Sequence, residues 1–461
     1  MTKVQKILIL FALIIMPLLA HAQNGVNSPY SRYGFGLLSD RSMGFNRAMG
    51  GVAQGFRNGQ EINTANPASY SSADSLTALF DLGITVQNGN YSMGKQKQNI
   101  KNSSFDYAAY SFRATRGVGI AFALMPYSKI KYSFASDPQV LQNNAGLTSS
   151  YSYTGDGGLR QVMLGAGWQF IKPLSIGLNV GYLWGEYEHN MTMSYSSTSA
   201  YSIKRTYSAN ISTFTLEGGI QYSVNLSKKD RLTLGATGVL GHKVHNDAYR
   251  TTSTTTSSTS STVEASAVDT LRNAFQLPHC ISVGATYYLE NKLRVGIDFE
   301  LQRWSRVQFP VVENYEQQKS TGNYTPTYKV LNDRIKIAAG AEYRPDALGR
   351  SFFKRLAYKM GGYYSRSYAN VNESSIVTNK KPTEFGLSAG VTIPIQNRNL
   401  FYSSPKINVT FSWVHTNIPY YLNSSLNGGS TPTLNTLKEN YLRLSVGLTL
   451  SERWFYKWKV Q

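Results

Sequence analysis

Cysteine is almost absent from this chain: Cys280 is the only one in 461 residues, so no intramolecular disulfide can staple the fold. It lies inside an alternating segment, where a small half-buried hydrophobe is the plain reading. Long apolar runs are missing too, except at the start. Lys3 and Lys6 precede an apolar stretch from Ile7 to Leu19 that closes on Ala20-His21-Ala22. This stretch is shorter than the roughly 20 residues a membrane helix needs, so residues 1–22 read as a secretory leader and Gln23 as the first mature residue. No cysteine sits at the cleavage site, which argues against a lipoprotein anchor. With no later segment long enough for a helix, this chain can enter a membrane only as a closed barrel.

Acidic residues are scarce: 26 Asp and Glu stand against 46 Lys and Arg, a net charge of +20, or +18 once Lys3 and Lys6 leave with the leader. Such an excess suits nucleic acid, anionic lipid or a charged partner. The basic residues are scattered, and an exported chain seldom meets nucleic acid, so nucleic acid is set aside. Catalytic groupings are missing as well. Gly386-Leu387-Ser388-Ala389-Gly390 matches G-x-S-x-G, but that motif needs a strand–turn–helix elbow, and here it sits in an alternating strand. His242 and His245 are three apart, which on a strand points them to opposite faces. His189, His279 and His415 are scattered, and no phosphate-binding loop or acid/base pair is present. The expectation is no enzyme, no metal and no cofactor.

What the chain does have is 32 Tyr, 39 Gly and abundant Ser and Thr, the composition of short strands with aromatic girdles. Period-2 alternation recurs along it. In Leu174-Ser-Ile-Gly-Leu-Asn-Val-Gly-Tyr182 every second residue is large and apolar, and those between are small or polar. The same pattern marks 214–224, 281–289, 293–301, 335–343, 385–393, 407–413 and 442–450, with Glu217, Gln221, Arg294, Asp298, Glu300, Lys336, Glu342 and Arg443 among the in-between positions.

Fourteen strands are expected, near 76–87, 104–115, 118–132, 158–170, 174–190, 206–225, 231–248, 278–289, 292–308, 332–344, 354–368, 382–395, 405–418 and 438–450. The count is even, and long connections alternate with mostly short ones, which separates an outer-membrane barrel from a soluble sandwich and puts both termini in the periplasm. The Ser/Thr run Thr251–Thr262, in the longest connection, reads as a solvated loop tip. The turn Asn397-Arg398-Asn399 and the tail from Trp454 to Lys459 read as interface features. The expected organisation is a leader at 1–22, a plug at 23–75, an all-β, 14-stranded antiparallel transmembrane barrel at 76–450, and a periplasmic tail at 451–461.

Residues 23–75 do not alternate. They are Gly-rich and hold Gly50-Gly51 and then Asn66-Pro67-Ala68. Fourteen strands enclose more space than their own side chains fill, so this segment is the natural plug. Here the sequence resembles the FadL-type outer-membrane transporters of long-chain fatty acids and aromatic hydrocarbons, whose N-terminal hatch carries an Asn-Pro-Ala motif shortly before the first strand. Leu277-Pro278, opening a strand that leads through its hairpin to Trp304-Ser305, and the strand count support the match over nearly the whole mature chain.

The resemblance implies gated passive uptake of a hydrophobic small molecule, with Asn66, Pro67, Ala68, Gly50 and Gly51 as the hatch. It further implies sideways release into outer-membrane lipid through a gap at a kinked third strand. Pro126 falls in that strand and cannot donate to the ladder; a strand end where pairing has already stopped accommodates it equally well. The alternative function is a non-transporting structural subunit of a protein-export or barrel-assembly complex, with outer-membrane protein partners. An adhesin would have only the Ser/Thr run behind it.

Overall fold

Alternation in this chain places its apolar residues outward. In the stretch from Leu174, Ile176, Leu178, Val180 and Tyr182 are exposed while Ser175 and Asn179 are buried, the inverse of a soluble sandwich and the pattern of a wall with lipid outside and a polar interior. The computed structural model describes residues 27–453 apart from 94–95, 136–138, 141–146, 198–199, 256–262, 291, 313–323, 348, 371–380, 396–404 and 423–432. The expected leader, the Asn397–Asn399 turn and the tail from Trp454 lie outside the described residues.

The wall has fourteen strands: β1 (Thr77–Met93), β2 (Gln96–Thr115), β3 (Val118–Pro126, continued by Ser128–Ala135), β4 (Thr148–Ile171), β5 (Leu174–Tyr195), β6 (Ser202–Asn225), β7 (Asp230–Val239, continued by Ala248–Thr255), β8 (Val263–Leu271, continued by Cys280–Leu289), β9 (Leu293–Gln302), β10 (Arg334–Tyr343), β11 (Ala357–Arg366), β12 (Thr383–Pro394), β13 (Lys406–Leu422) and β14 (Thr433–Arg453). Each pairs antiparallel with its sequence neighbour, and β14 closes on β1 from Thr77↔Arg453 to Met93↔Leu437. All fourteen expected strands are present.

Many run further than the sequence suggested at the end opposite the short turns. The expected loop 249–277 is largely a strand pair: Thr251–Thr255 of the Ser/Thr run pairs with β6 and β8 instead of forming a loop tip. Beyond the bilayer a strand needs no apolar face, so the alternation that marks a spanning strand fades while the ladder continues. Two other expectations need correcting. Trp304-Ser305 lies in a short 3-10 turn, Trp304–Arg306, beyond β9. His242 and His245 flank the two-residue pairing at Lys243–Val244 between the two parts of β7.

Residues 27–76 run inside this wall as short turns, including 3-10 segments at Pro29–Arg32, Arg47–Met49 and Pro67–Ser72. Two apolar cores hold them. At the outer mouth Phe35 lies among Phe275, Trp304 and Phe309, with ring centroids 5.3–5.9 Å apart. Deeper in the barrel, Met43, Phe45, Phe56 and Ile62 pack on Leu79, Tyr107, Met125 and Met163 of β1–β4.

Candidate functional site: the plugged lumen

Asn66, Pro67 and Ala68 open the 3-10 segment that presses chiefly on the inside of β4 and β5. The Asn66 side chain accepts from the Ala68 amide (3.1 Å) and donates to the Gln54 (2.9 Å) and Ile220 (3.3 Å) carbonyls. It thus caps its own turn and ties it both to the rest of the plug and to the wall. Proline at the first position of the turn suits this geometry, since its missing N–H would have had no partner there. Gly50 and Gly51 adopt φ of +69° and +86°, a conformation that favours glycine. The Gly50 amide donates to Ser388 Oγ (3.2 Å), which in turn donates to the Ala48 carbonyl (3.1 Å). The serine of the hydrolase-like pattern is therefore a docking point for the plug, held within β12 as expected.

The plug backbone lies against a belt of wall glycines. A Cβ at Gly177 or Gly167 would meet Pro67 backbone at 2.3 and 2.4 Å, one at Gly235 the Gln54 carbonyl oxygen at 1.8 Å, and one at Gly340 the Met49 carbonyl oxygen at 2.3 Å. Gly119 of β3 stands the same way to the Tyr70 carbonyl oxygen, whereas a Cβ at Gly390 of β12 would meet the Ala48 side chain at 2.8 Å. Glycines at matching heights on many strands let the plug wind around the wall at backbone distance. Replacing Gly235 by valine should unseat the Gln54–Gly55 turn at a cost of about 1–3 kcal/mol. Limited proteolysis of the folded barrel should then cut within 27–76 several-fold faster than in the parent; an unchanged rate would count against close seating.

Charge supplies the second set of ties. Arg41 makes a bidentate pair with Glu217 of β6 (both contacts 2.8 Å) and also donates to the Thr64 carbonyl (2.8 Å). Asn179 of β5 donates to the same carboxylate (2.9 Å) and accepts from the Tyr70 hydroxyl (3.1 Å). Arg47 reaches Asp106 of β2 and Thr85 of β1. Arg57 donates to Ser175 of β5, Asp298 of β9 receives the Ala53 and Gln54 amides, and Lys336 of β10 meets Asp40 at 3.3 Å.

Glu61 sits between Arg294 of β9 (3.3 Å) and Lys406 of β13 (3.7 Å). Burial alone would raise its carboxyl, but Lys406 and Arg294 hold it down at about 2. None of these charged plug residues was singled out in the sequence. Their wall partners Glu217, Asp298, Arg294 and Lys336 were visible as charged residues on the inward side of alternating strands.

Two cavities, about 150 and 200 Å³, flank the Leu38–Ser42 segment, and both are walled by Asp40, Pro126, Arg334 and Lys336. The first adds Arg41, Glu217, Asp298 and Glu300; the second adds Arg47, Asp106, Glu384, Glu439 and Arg443. Apolar side chains share these walls, among them Met125, Leu277 and Phe299 in the first and Leu37 and Val414 in the second.

Pro126 pairs with Arg160 of β4, whereas the β2–β3 ladder joins only Ala108–Thr115 to Val118–Leu124. Among the described residues no ladder joins Gln96–Tyr107 to the outer half of β3. That free edge is taken up from inside: Leu37↔Lys129 and Leu38↔Ser128 pair, and the Ser28 and Ser39 amides donate to the Lys131 and Tyr127 carbonyls. Pro126 thus stands just past the point where pairing with β2 stops, and the segment 28–39 covers the interruption.

The histidines are engaged singly: His242 with Thr213, His189 with Tyr132, His415 with Asn440, and His279 with the Gly241 amide. Cys280 stands at the start of the second part of β8, half-buried.

A family model described as BamG matches residues 3–461. No curated protein matches the sequence. Among solved structures, the chain is similar to a FadL homologue of Pseudomonas aeruginosa, with 11% identity and a TM-score of 0.57 over 91% of this chain and 99% of that one. It is similar also to the Pseudomonas putida toluene transporter TodX, with 12% identity and a TM-score of 0.56 over 91% and 100%. The CymD monoaromatic hydrocarbon channel gives 14% identity and a TM-score of 0.52 over 92% and 99%. The likeness is one of fold: the closed 14-stranded barrel is of the FadL type.

Proposed function

This chain belongs to the BamG family, and from that premise we propose that it is a fixed, non-catalytic subunit of an outer-membrane barrel-assembly or protein-export complex. In this reading residues 1–22 are an export leader cleaved after Ala22, and the barrel is a rigid platform in the outer membrane. The observation that carries the reading is how the lumen is filled: an aromatic core around Phe35 at the outer mouth, and below it two small cavities crossed by the ion pairs Arg41–Glu217, Arg334–Glu300, Lys336–Asp40 and Arg47–Asp106. Burying an apolar ligand against unbroken charge pairs would gain little, and opening a path would expose several buried charges at once. The family's name agrees with assembly. The test is affinity purification of the tagged chain from gently solubilised native membranes. Other outer-membrane proteins in fixed stoichiometry are expected; a barrel recovered alone would count against the proposal.

A second reading, gated uptake of a hydrophobic compound with release into outer-membrane lipid, has one specific observation behind it. The wall ladder stops beside Pro126, and the covering segment 28–39 belongs to the plug. The likeness to hydrocarbon channels favours it in kind. A plug held by a set of discrete contacts can shift when a ligand competes for them. On this reading Pro126→Val restores a backbone donor at the interruption and should lower release of a fluorescent fatty acid into liposomes several-fold. Unchanged release would remove the wall at Pro126 from any such route.

A further inference from the structure

The β10–β11 connection, at the end of the barrel with the short turns, carries two phenylalanines that the plugged lumen does not use. Phe352 and Phe353 open a four-residue helix, are 48% and 69% exposed, and pack edge to face with centroids 5.7 Å apart. Arg350 and Lys354, both exposed, flank them. The helix is fixed in place. The Asp346 amide donates to the Lys354 carbonyl (2.9 Å), the following Leu356 and Ala357 are buried, and the Tyr358 hydroxyl donates to the Phe353 carbonyl (3.1 Å).

Tyr358 decides which side the helix is on. It is exposed, paired with exposed Tyr343, and alternates along β11 with exposed Met360 and with buried Lys359, which binds the Phe45 carbonyl of the plug. Tyr358 therefore faces the lipid side, and so does the helix it holds. Trp168, Phe170 and Tyr222 are exposed at the same end of the wall, so the two phenylalanines extend an aromatic band already present there.

We propose that the Phe352–Arg355 helix, with Arg350 before it, is a lipid-docking element: Phe352 and Phe353 enter the acyl region of the inner leaflet of the outer membrane while Arg350 and Lys354 bind anionic phospholipid headgroups. The occupant is a lipid surface because the patch continues the lipid-facing wall and because bulky apolar rings beside exposed cations match an anionic interface.

The test uses the full barrel in nanodiscs. A Cys280→Ser background receives Phe353→Cys, or Lys229→Cys in the polar β6–β7 turn at the same end as control, each labelled with bimane. Lipids with brominated acyl chains should quench the label at 353 at least about threefold more than that at 229. Adding Arg350→Glu with Lys354→Glu should reduce quenching at 353 in discs containing phosphatidylglycerol and leave it unchanged in pure phosphatidylcholine. Equal quenching at both sites, or none at 353, overturns the proposal. So does a label that aqueous iodide reaches in nanodiscs but not in native membranes, since a protein would then cover the patch.

Discussion

Glu61→Ala should lower the unfolding free energy of the barrel by about 3–5 kcal/mol, the usual cost of removing one member of a buried ion pair. Glu61 is 2% exposed in its side chain, Arg294 11% and Lys406 8%, so the two cations would be left facing each other across the lumen without their shared counter-ion. The effect should reach beyond the plug, because Arg294 also meets Glu342 (3.4 Å), and Glu342 meets Lys359 (3.4 Å). The measurement is the temperature at which the folded, faster-migrating band is lost in heated-gel electrophoresis. An unchanged temperature would show that the cations find other partners. The same site gives an acid dependence. Its folded carboxyl lies at about 2 against an ordinary 4.5, so its contribution is complete above about 4.5 and is lost as pH falls toward 2. The parent should lose plug protection in that window, and Glu61→Gln should show a smaller change.

Phe35→Ala should cost about 3–5 kcal/mol, the range for a large aromatic removed from a filled core. Phe35 is fully buried and touches Phe275, Trp304 and Phe309 from three sides, while Tyr368 packs on Trp304 at 4.7 Å and bonds the Gly36 carbonyl. Phe35 is the plug's fully buried contribution to this core, and Leu38 packs only partly buried against it. Loss of packing should free the 28–39 segment first, exposing the unpaired edge of β3. Hydrogen exchange at the Leu37–Leu38 amides should quicken several-fold before global unfolding is affected, and exchange unchanged there would show that pairing with Ser128 and Lys129 alone secures the segment.

Fold and site were unequally legible in the sequence. Leu174–Tyr182 announces a spanning strand because one face must meet lipid at every second residue. Gln96–Asn102 and Tyr249–Thr255 are strands too, but outside the bilayer both faces are polar and the pattern is silent. The plug was recognisable by its lack of alternation, and Asn66-Pro67-Ala68 does form a capped turn against the wall. What fastens the plug was not recognisable as pairs. Arg41 and Glu217 are 176 positions apart, and Ala53 and Asp298 are 245 apart, so nothing local couples them. Phe35 looks an ordinary aromatic in sequence, and Trp304-Ser305 stood out only as a family-like motif with no sign of this partner; barrel closure brings the two rings together.

A lumen that is a closed scaffold offers no route for an apolar ligand. Native mass spectrometry of the purified barrel, titrated with a long-chain fatty acid and with toluene, tests it most directly. A bare mass with no saturable adduct is expected with either ligand. A saturable one-to-one adduct that is lost on replacing Phe35 or Pro126 would contradict it.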